Sequence, residues 1–234
     1  MSDDRYEEQA AEDLGHDHNE TEGVEVPAPG RNLDVHPELL ERRELLDGGG
    51  LLYVPGFFDG ATADTLFQEL REEIPWQNIR IRGVPQRLGT YWIGPIPYAY
   101  SGQVRPAAPW LPTVQAIRTA VESLVFRGKD TTYEGVLLNY YQNGDVKLGY
   151  HADDEDILVP EAPIASVSLG APRRFVLRHN RTKAKHELTL DHGSLLVMQG
   201  TTQWYWQHAV PPEKNAGPRV NLTFRRLRTQ SPTP

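Results

Sequence analysis

The chain has 234 residues, 38% of them hydrophobic and 24% charged, with a formal net charge of −8 and no cysteine. That length and composition suit one compact domain with a sizeable core, plus some tail. The missing cysteines exclude disulfides, iron–sulfur clusters, thiolate zinc sites and cysteine nucleophiles.

The charge is unevenly spread. Residues 1–30 hold ten acids and one base, Arg5, a net of −9, which leaves the rest of the chain at about +1. An acidic total therefore does not exclude a nucleic-acid partner. Residues 1–34 have few large apolar side chains, many acids and a "PAPG" stretch. They read as a disordered acidic tail ahead of a domain over residues 35–230. The "HDHNE" within the tail superficially resembles metal ligands, but a flexible segment holds no preformed site. The N-terminus lacks the apolar h-region of a signal peptide, and no run approaches the ~20 apolar residues of a membrane span. The expectation is an intracellular protein of the cytoplasm, or of the nucleus in a eukaryote, monomeric and without a membrane partner.

From "HPELLERRELL" the chain gains apolar residues, and a short helix is expected there. "GGGLLYVPGFF" reads as glycine breakers, a short buried strand and a turn. "DGATADTLFQELREEI" has Leu66, Leu70 and Ile74 four apart on one helical face, and Pro75 stops it. "LPTVQAIRTAVESLVF" is a second amphipathic helix with Val114, Ile117, Val121 and Leu124 on one stripe. Between the two helices, residues 76–105 interleave Arg80, Arg82 and Arg87 with Tyr91, Trp92, Tyr98 and Tyr100. On its own this is a β-hairpin with surface charges and packed tyrosines. It equally fits a substrate lid, in which arginines meet phosphates and aromatic faces stack on bases.

Beyond residue 130 the pattern changes to short strands: "YEGVLLNYY", "PIASVSLG", "RRFVLRH", "KHELTL", "GSLLVMQ", "WYWQHAV" and "RVNLTFRRL". Two helices followed by seven or more strands predict an α+β fold, a double-stranded β-helix (jelly roll) with buttressing helices and its core at about 131–228. In "RVNLTFR", alternation puts Arg219, Asn221, Thr223 and Arg225 on one face and Val220, Leu222 and Phe224 on the other. The polar face is either outside, or it points into the barrel, where the arginines need an anion such as a carboxylate. Asn139 and Tyr141 share a face of "LLNYYQ" and would suit a small dicarboxylate beside those arginines.

"YHADDED" carries His151 and Asp153 at i, i+2, so both can point to one side of an extended segment. His208 in "WQHAV" completes two histidines and one carboxylate, a set that suits non-heme Fe(II) and leaves coordination positions open. A His-x-acid pair alone is weak, since His36-x-Glu38 and His18-x-Glu20 also occur here. The combination with His208 and the arginine strand eleven residues later is specific. Trp204 and Trp206 are expected on the same strand face as His208, packing around the pocket. His192 is expected in a turn, and His179 and His186 show no partner pattern.

These residues together resemble the AlkB family of Fe(II)/2-oxoglutarate dioxygenases, which remove alkyl groups from nucleic-acid bases. The motifs are "NYY", "HADDE", "PIASVSLGAPRRF", "LDHGSLLVMQG", "WQHAVP" and "PRVNLTFR", joined by "EIPW", "PQRLGTYW" and "PYAYSG", over roughly residues 50–228. They look most like the branch of the second and third eukaryotic AlkB homologues, with "WQH" and "PRVNLTFR" closer to the third.

The resemblance implies that His151, Asp153 and His208 bind Fe(II) and that Arg219 pairs with the distal carboxylate of 2-oxoglutarate. Asn139, Tyr141 and Asn221 would support that cosubstrate, with Arg225 near its metal-binding end. Oxygen and 2-oxoglutarate would give succinate and carbon dioxide, and an N-methyl carbon would be hydroxylated and lost as formaldehyde. Tyr98, Tyr100, Arg87 and Tyr91 would bind substrate, with Tyr100 stacking on the base opposite His151. Glu155 falls at the family's acidic substrate-recognition position and would favour cationic 1-methyladenine or 3-methylcytosine; otherwise it is a solvated loop acid, the reading kept for Asp154 and Asp156. A target base must be unpaired or flipped out of a duplex. The hairpin "WQNIRIRGVPQR" is short for a duplex-probing finger, so the expected partner is alkylated single-stranded DNA or RNA, with duplex a lesser substrate. The rival reading is an Fe(II)/2-oxoglutarate hydroxylase of a protein or small molecule.

Overall fold

A computed structural model describes residues 33–81, 84–100 and 103–228. In chain order the elements are β1 (Glu41–Glu44), β2 (Gly49–Val54), α1 (Gly60–Glu73), β3 (Gln77–Ile81), β4 (Val84–Ile93), β5 (Tyr98–Tyr100) and β6 (Gln103–Arg105). Then follow α2 (Pro112–Val125), β7 (Gly135–Tyr141), β8 (Leu148–His151), β9 (Ile164–Gly170), β10 (Arg173–His179) and β11 (Lys185–Leu190). β12 (Ser194–Gly200), α3 (Thr202–Tyr205), β13 (Trp206–Val210) and β14 (Arg219–Arg225) complete the chain.

An eight-stranded sheet in the order β1-β2-β12-β9-β14-β7-β4-β3 faces a four-stranded sheet in the order β11-β10-β13-β8. Leu51, Tyr141, Leu196 and Met198 from the first sheet pack with Phe175, Leu177, Leu188 and Trp206 from the second. The other face of the large sheet buries Val136, Leu138, Val167, Leu195, Val220, Leu222 and Phe224 under the two long helices. Period-2 alternation thus feeds two cores at once, as in a sandwich whose one outer face is covered by helices. This is the expected helix-buttressed jelly roll.

The helices form as their patterns predict. Asp59 caps α1 by accepting from the Thr62 amide at 2.7 Å, and Leu66, Leu70 and Ile74 are buried. Pro112 opens α2, which buries Val114, Ile117 and Val121, with Leu124 packed beside them.

Three expectations change. "HPELLERRELL" is not a helix: one 3-10 turn, Pro37–Leu39, leads into β1, whose residues pair antiparallel with Gly50–Tyr53 of β2. Pairing on the edge of the large sheet overrides a helical propensity worth only tenths of a kcal/mol per residue. The tail boundary also moves, because Leu33 is already buried in the helix-side core; residues 1–32, which include "HDHNE", lie outside the described residues. Finally, the segment expected as a lid is divided. β4 is a regular strand of the large sheet, paired with β7 from Leu88 to Ile93, and only β5–β6 form a separate hairpin.

Candidate active site

β8 and β13 lie side by side with His151 opposite His208. His151 ends β8, and Asp153 follows two residues on in the loop. Ligand atoms of His151, Asp153 and His208 all lie within 4.8 Å of one another. The two imidazole centroids are 4.2 Å apart, and Phe175 stacks on His208 at 5.2 Å. Nδ1 of His151 is 2.9 Å from the Gly149 carbonyl oxygen. A proton donated there leaves the lone pair on Nε2, the form a metal needs.

Asp153 is buried at the centre of this group. Its Oδ1 accepts from Arg225 Nη2 at 2.7 Å, and its Oδ2 is 3.8 Å from His208 Nε2. Burial by itself would raise its pKa, but the facing charges, Arg225 foremost, hold it well below the usual carboxylate range. His208 is pushed down to about 3, first by burial and then by His151. At neutral pH it is an uncharged imidazole, so the charge that balances Asp153 is Arg225. The Asp153 amide donates to Gln203 Oε1 at 2.9 Å, which ties the loop to α3. Two imidazole nitrogens and one carboxylate oxygen converging on one space fit Fe(II) with open positions.

The same three residues line a cavity with Asn139, Tyr141, Arg219, Asn221, Thr223 and Arg225. The polar face of β14 therefore points inward. In register, Arg219 lies opposite Tyr141 and Asn221 opposite Asn139. Arg219 is 1% exposed; its Nη2 donates to Ser168 Oγ at 2.9 Å, and its guanidinium sits 5.0 Å from the Tyr141 ring centre. Its Nε and Nη1 are buried with no hydrogen-bond partner among the described residues. A guanidinium so buried calls for an anion, and a carboxylate can pair with two of its N–H groups at once. The donor set thus fits 2-oxoglutarate. Asn221 is committed to the wall: its Nδ2 donates to Ser166 Oγ at 2.8 Å and to the Val167 carbonyl at 2.9 Å.

Glu155 is half-buried in a pocket shared with Asp153 and Arg225. Its Oε1 accepts from the Tyr98 hydroxyl at 2.7 Å, while Oε2 is buried with no partner among the described residues. Burial pushes its carboxyl up, opposed by Arg225 and reinforced by Asp153. Asp154 and Asp156 are exposed, as the solvated reading has them.

The substrate-side expectations are partly corrected. Tyr98 is fully buried, stacked on Trp92 at 4.3 Å, and its hydroxyl is spent on Glu155; it braces the acid and offers no exposed face. Tyr91 lies opposite Leu138 and packs with the helix-side core, on the sheet face away from the cavity, because alternation along β4 turns Thr90 and Trp92 inward. Arg87 is exposed on the same alternate set as Tyr91. The Tyr100 side chain lies outside the described residues, as do those of Arg80 and Arg82. Trp204 is not on a strand with His208: it sits in α3 and is exposed, whereas Trp206 is buried.

Several supporting residues went unread in the sequence. Arg173 is fully buried and donates through Nη2 to the carbonyls of Val146 and Pro211, each at 2.7 Å. His179 is buried, with Nε2 2.9 Å from Asp47 Oδ2. Ser166 and Ser168 lie in β9, in the stretch "PIASVSLG", and accept from Asn221 and Arg219. Their spacing matched the inward face of β9, which was the one signal available.

A family profile described as "2OG-Fe(II) oxygenase superfamily" matches residues 50–225. The human protein named "DNA oxidative demethylase ALKBH2" is 38% identical over 188 residues, covering 73% of this chain and 70% of that protein. The mouse protein of the same name is 34% identical over 223 residues, covering 88% and 92%. Mouse "Alpha-ketoglutarate-dependent dioxygenase alkB homolog 3" is 37% identical over 186 residues, covering 73% and 64%. The solved structure described as "The structure of OsALKBH1" superposes with a TM-score of 0.52 at 19% identity, covering 75% of this chain and 97% of that one; at that identity it shows the fold alone. With the His-Asp-His cluster and the inward arginine strand lying inside the matched region, this chain belongs to the AlkB family of the 2OG-Fe(II) oxygenase superfamily.

Proposed function

We propose that this dioxygenase, which uses Fe(II), O2 and 2-oxoglutarate, oxidatively removes methyl groups from N-alkylated bases in DNA, 1-methyladenine and 3-methylcytosine among them. One observation carries the reading: the metal-ligand cluster and the buried guanidinium of Arg219 share one cavity, with Glu155 held beside it by Tyr98. The relatives named as DNA oxidative demethylases support the substrate class.

His151, Asp153 and His208 hold the iron. When bound, it supplies the oxidation of an N-methyl carbon, which leaves as formaldehyde with succinate and carbon dioxide as co-products. Arg219 binds the remote carboxylate of 2-oxoglutarate, and Asn139 and Tyr141 shape the cavity around it. Arg225 keeps Asp153 ionised. Glu155 favours a cationic base over a neutral one, since a carboxylate in a half-buried site gains most from a cation. Tyr100 supplies the aromatic face for the base. Single-stranded substrates, RNA included, are preferred because an unpaired base enters without unstacking cost. The enzyme acts as a monomer in the cytoplasm, or in the nucleus of a eukaryote.

The test is formaldehyde release from 3-methylcytosine in single- and double-stranded DNA and RNA oligonucleotides. Release should require both Fe(II) and 2-oxoglutarate and should vanish in a folded Asp153→Ala protein. Turnover of a methylated peptide with none of the oligonucleotides would reject the reading.

A further inference from the structure

Arg105 is 3% exposed, although it belongs to the short β5–β6 hairpin outside both main sheets. Its Nε donates to Thr90 Oγ1 at 3.1 Å. Thr90, itself 2% exposed, donates through its hydroxyl to the Gln77 carbonyl at 3.3 Å and stands opposite Asn139 in the β4–β7 register. A charged side chain from the hairpin is thus sunk into the sheet that walls the cavity. Within the hairpin, Arg105 pairs with Tyr98. Residues directly opposite in an antiparallel pair share a face, so both side chains turn toward β4. There Tyr98 stacks on Trp92, which is two residues from Thr90 on the same face, and reaches Glu155.

Three residues per strand cannot hold a hairpin's orientation in water without packing against something larger. The Trp92 stack fixes the hairpin's height above β4 but tolerates sliding. The Arg105–Thr90 bond is directional and charge-assisted, so it fixes register as well. We propose that Arg105 is a positioning residue for substrate: it locks the β5–β6 hairpin on β4 and so sets Tyr98, and through it Glu155, at the distance the target base requires. The inference rests on the demethylase reading. Without this lock, the base is clamped loosely, and 2-oxoglutarate and O2 are consumed more often without demethylation, an added reductant such as ascorbate then supplying the two electrons that the methyl carbon does not.

The experiment uses the Fe(II)-loaded full chain with a single-stranded 3-methylcytosine oligonucleotide, comparing wild type with Arg105→Met, Thr90→Val and the double variant. Arg105→Met should raise the oligonucleotide KM about tenfold and raise the ratio of succinate to formaldehyde, with the 2-oxoglutarate KM within about twofold of wild type. Thr90→Val should move both in the same direction, and the double variant no further than Arg105→Met, since the Arg105–Thr90 bond is already lost in the single variant. Amide hydrogen exchange in residues 98–105 should speed up in Arg105→Met. Unchanged oligonucleotide KM and product ratio overturn the proposal, as does a parallel rise in the 2-oxoglutarate KM, which marks general damage to the cavity. If the wild type releases no formaldehyde, the demethylase reading has failed; the hairpin lock is then decided by hydrogen exchange, and unchanged exchange overturns it.

Discussion

Arg225 donates to Asp153 at 2.7 Å with both side chains buried, so a carboxylate facing the proposed metal position is charge-balanced before any metal arrives. His208, pushed down to about 3, contributes no charge at neutral pH. The remaining lone pairs of Asp153 stay available because only one of its oxygens is taken by the guanidinium.

Replacing Arg225 by methionine leaves Asp153 as a buried charge without its partner. The metal-free protein should lose about 3 kcal/mol of stability in urea unfolding, as expected when one half of a buried ion pair is removed. An unchanged unfolding midpoint would mean that Arg225 does not compensate Asp153.

Arg219→Met removes the buried guanidinium that lines the cavity. The KM for 2-oxoglutarate should rise about 100-fold, the worth of a charge-assisted bidentate contact, while metal binding followed by Co(II) absorption stays at the wild-type level. Equal loss of metal binding would show that the residue serves the cavity as a whole.

Glu155→Gln keeps the shape and removes the charge. Its kcat/KM for cationic 3-methylcytosine, relative to a neutral methylated base such as 3-methylthymine, should fall about tenfold. Tyr98→Phe, which frees Oε1 of its donor, should shift the oligonucleotide KM a few-fold and add little on top of Glu155→Gln. Matching losses on both bases in Glu155→Gln would remove the residue from base selection.

Arg173→Met tests a part of the frame outside the metal-ligand cluster, behind Tyr141. It would leave the carbonyls of Val146 and Pro211 unpaired in the interior. About 3 kcal/mol of stability should go, read by urea unfolding, with the 2-oxoglutarate KM of the folded enzyme nearly unchanged. A wild-type midpoint would show that water replaces the guanidinium at no cost.

Much of the site was legible because a strand has a period of two. Arg219, Asn221, Thr223 and Arg225 announced one face, and Val220, Leu222 and Phe224 the other, before it was known which face was inside. His151 and Asp153 showed the same spacing. What alternation could not give was the side on which a strand's partner lies. Tyr91 and Trp92 are neighbours in one aromatic stretch, yet one packs under the helices and the other under Tyr98. Trp204 and Trp206 differ in the same way, because a single turn, in which Thr202 Oγ1 donates to the Gln199 carbonyl at 2.6 Å, delays the start of β13.

By itself the sequence determined the two long helices, most strand faces, the candidate metal ligands and the arginine strand, since each follows from local periodicity or from residue chemistry. Only the tertiary structure decided that β8 and β13 adjoin, so that His151 meets His208, that Asp153 is charge-balanced by Arg225, and that Glu155 is braced by a buried Tyr98. Those pairings join residues 57 or more positions apart. Hydrogen-bond register between strands, fixed by packing on both faces of the sheet, sets the first of them, and burial of the charged and polar partners sets the others.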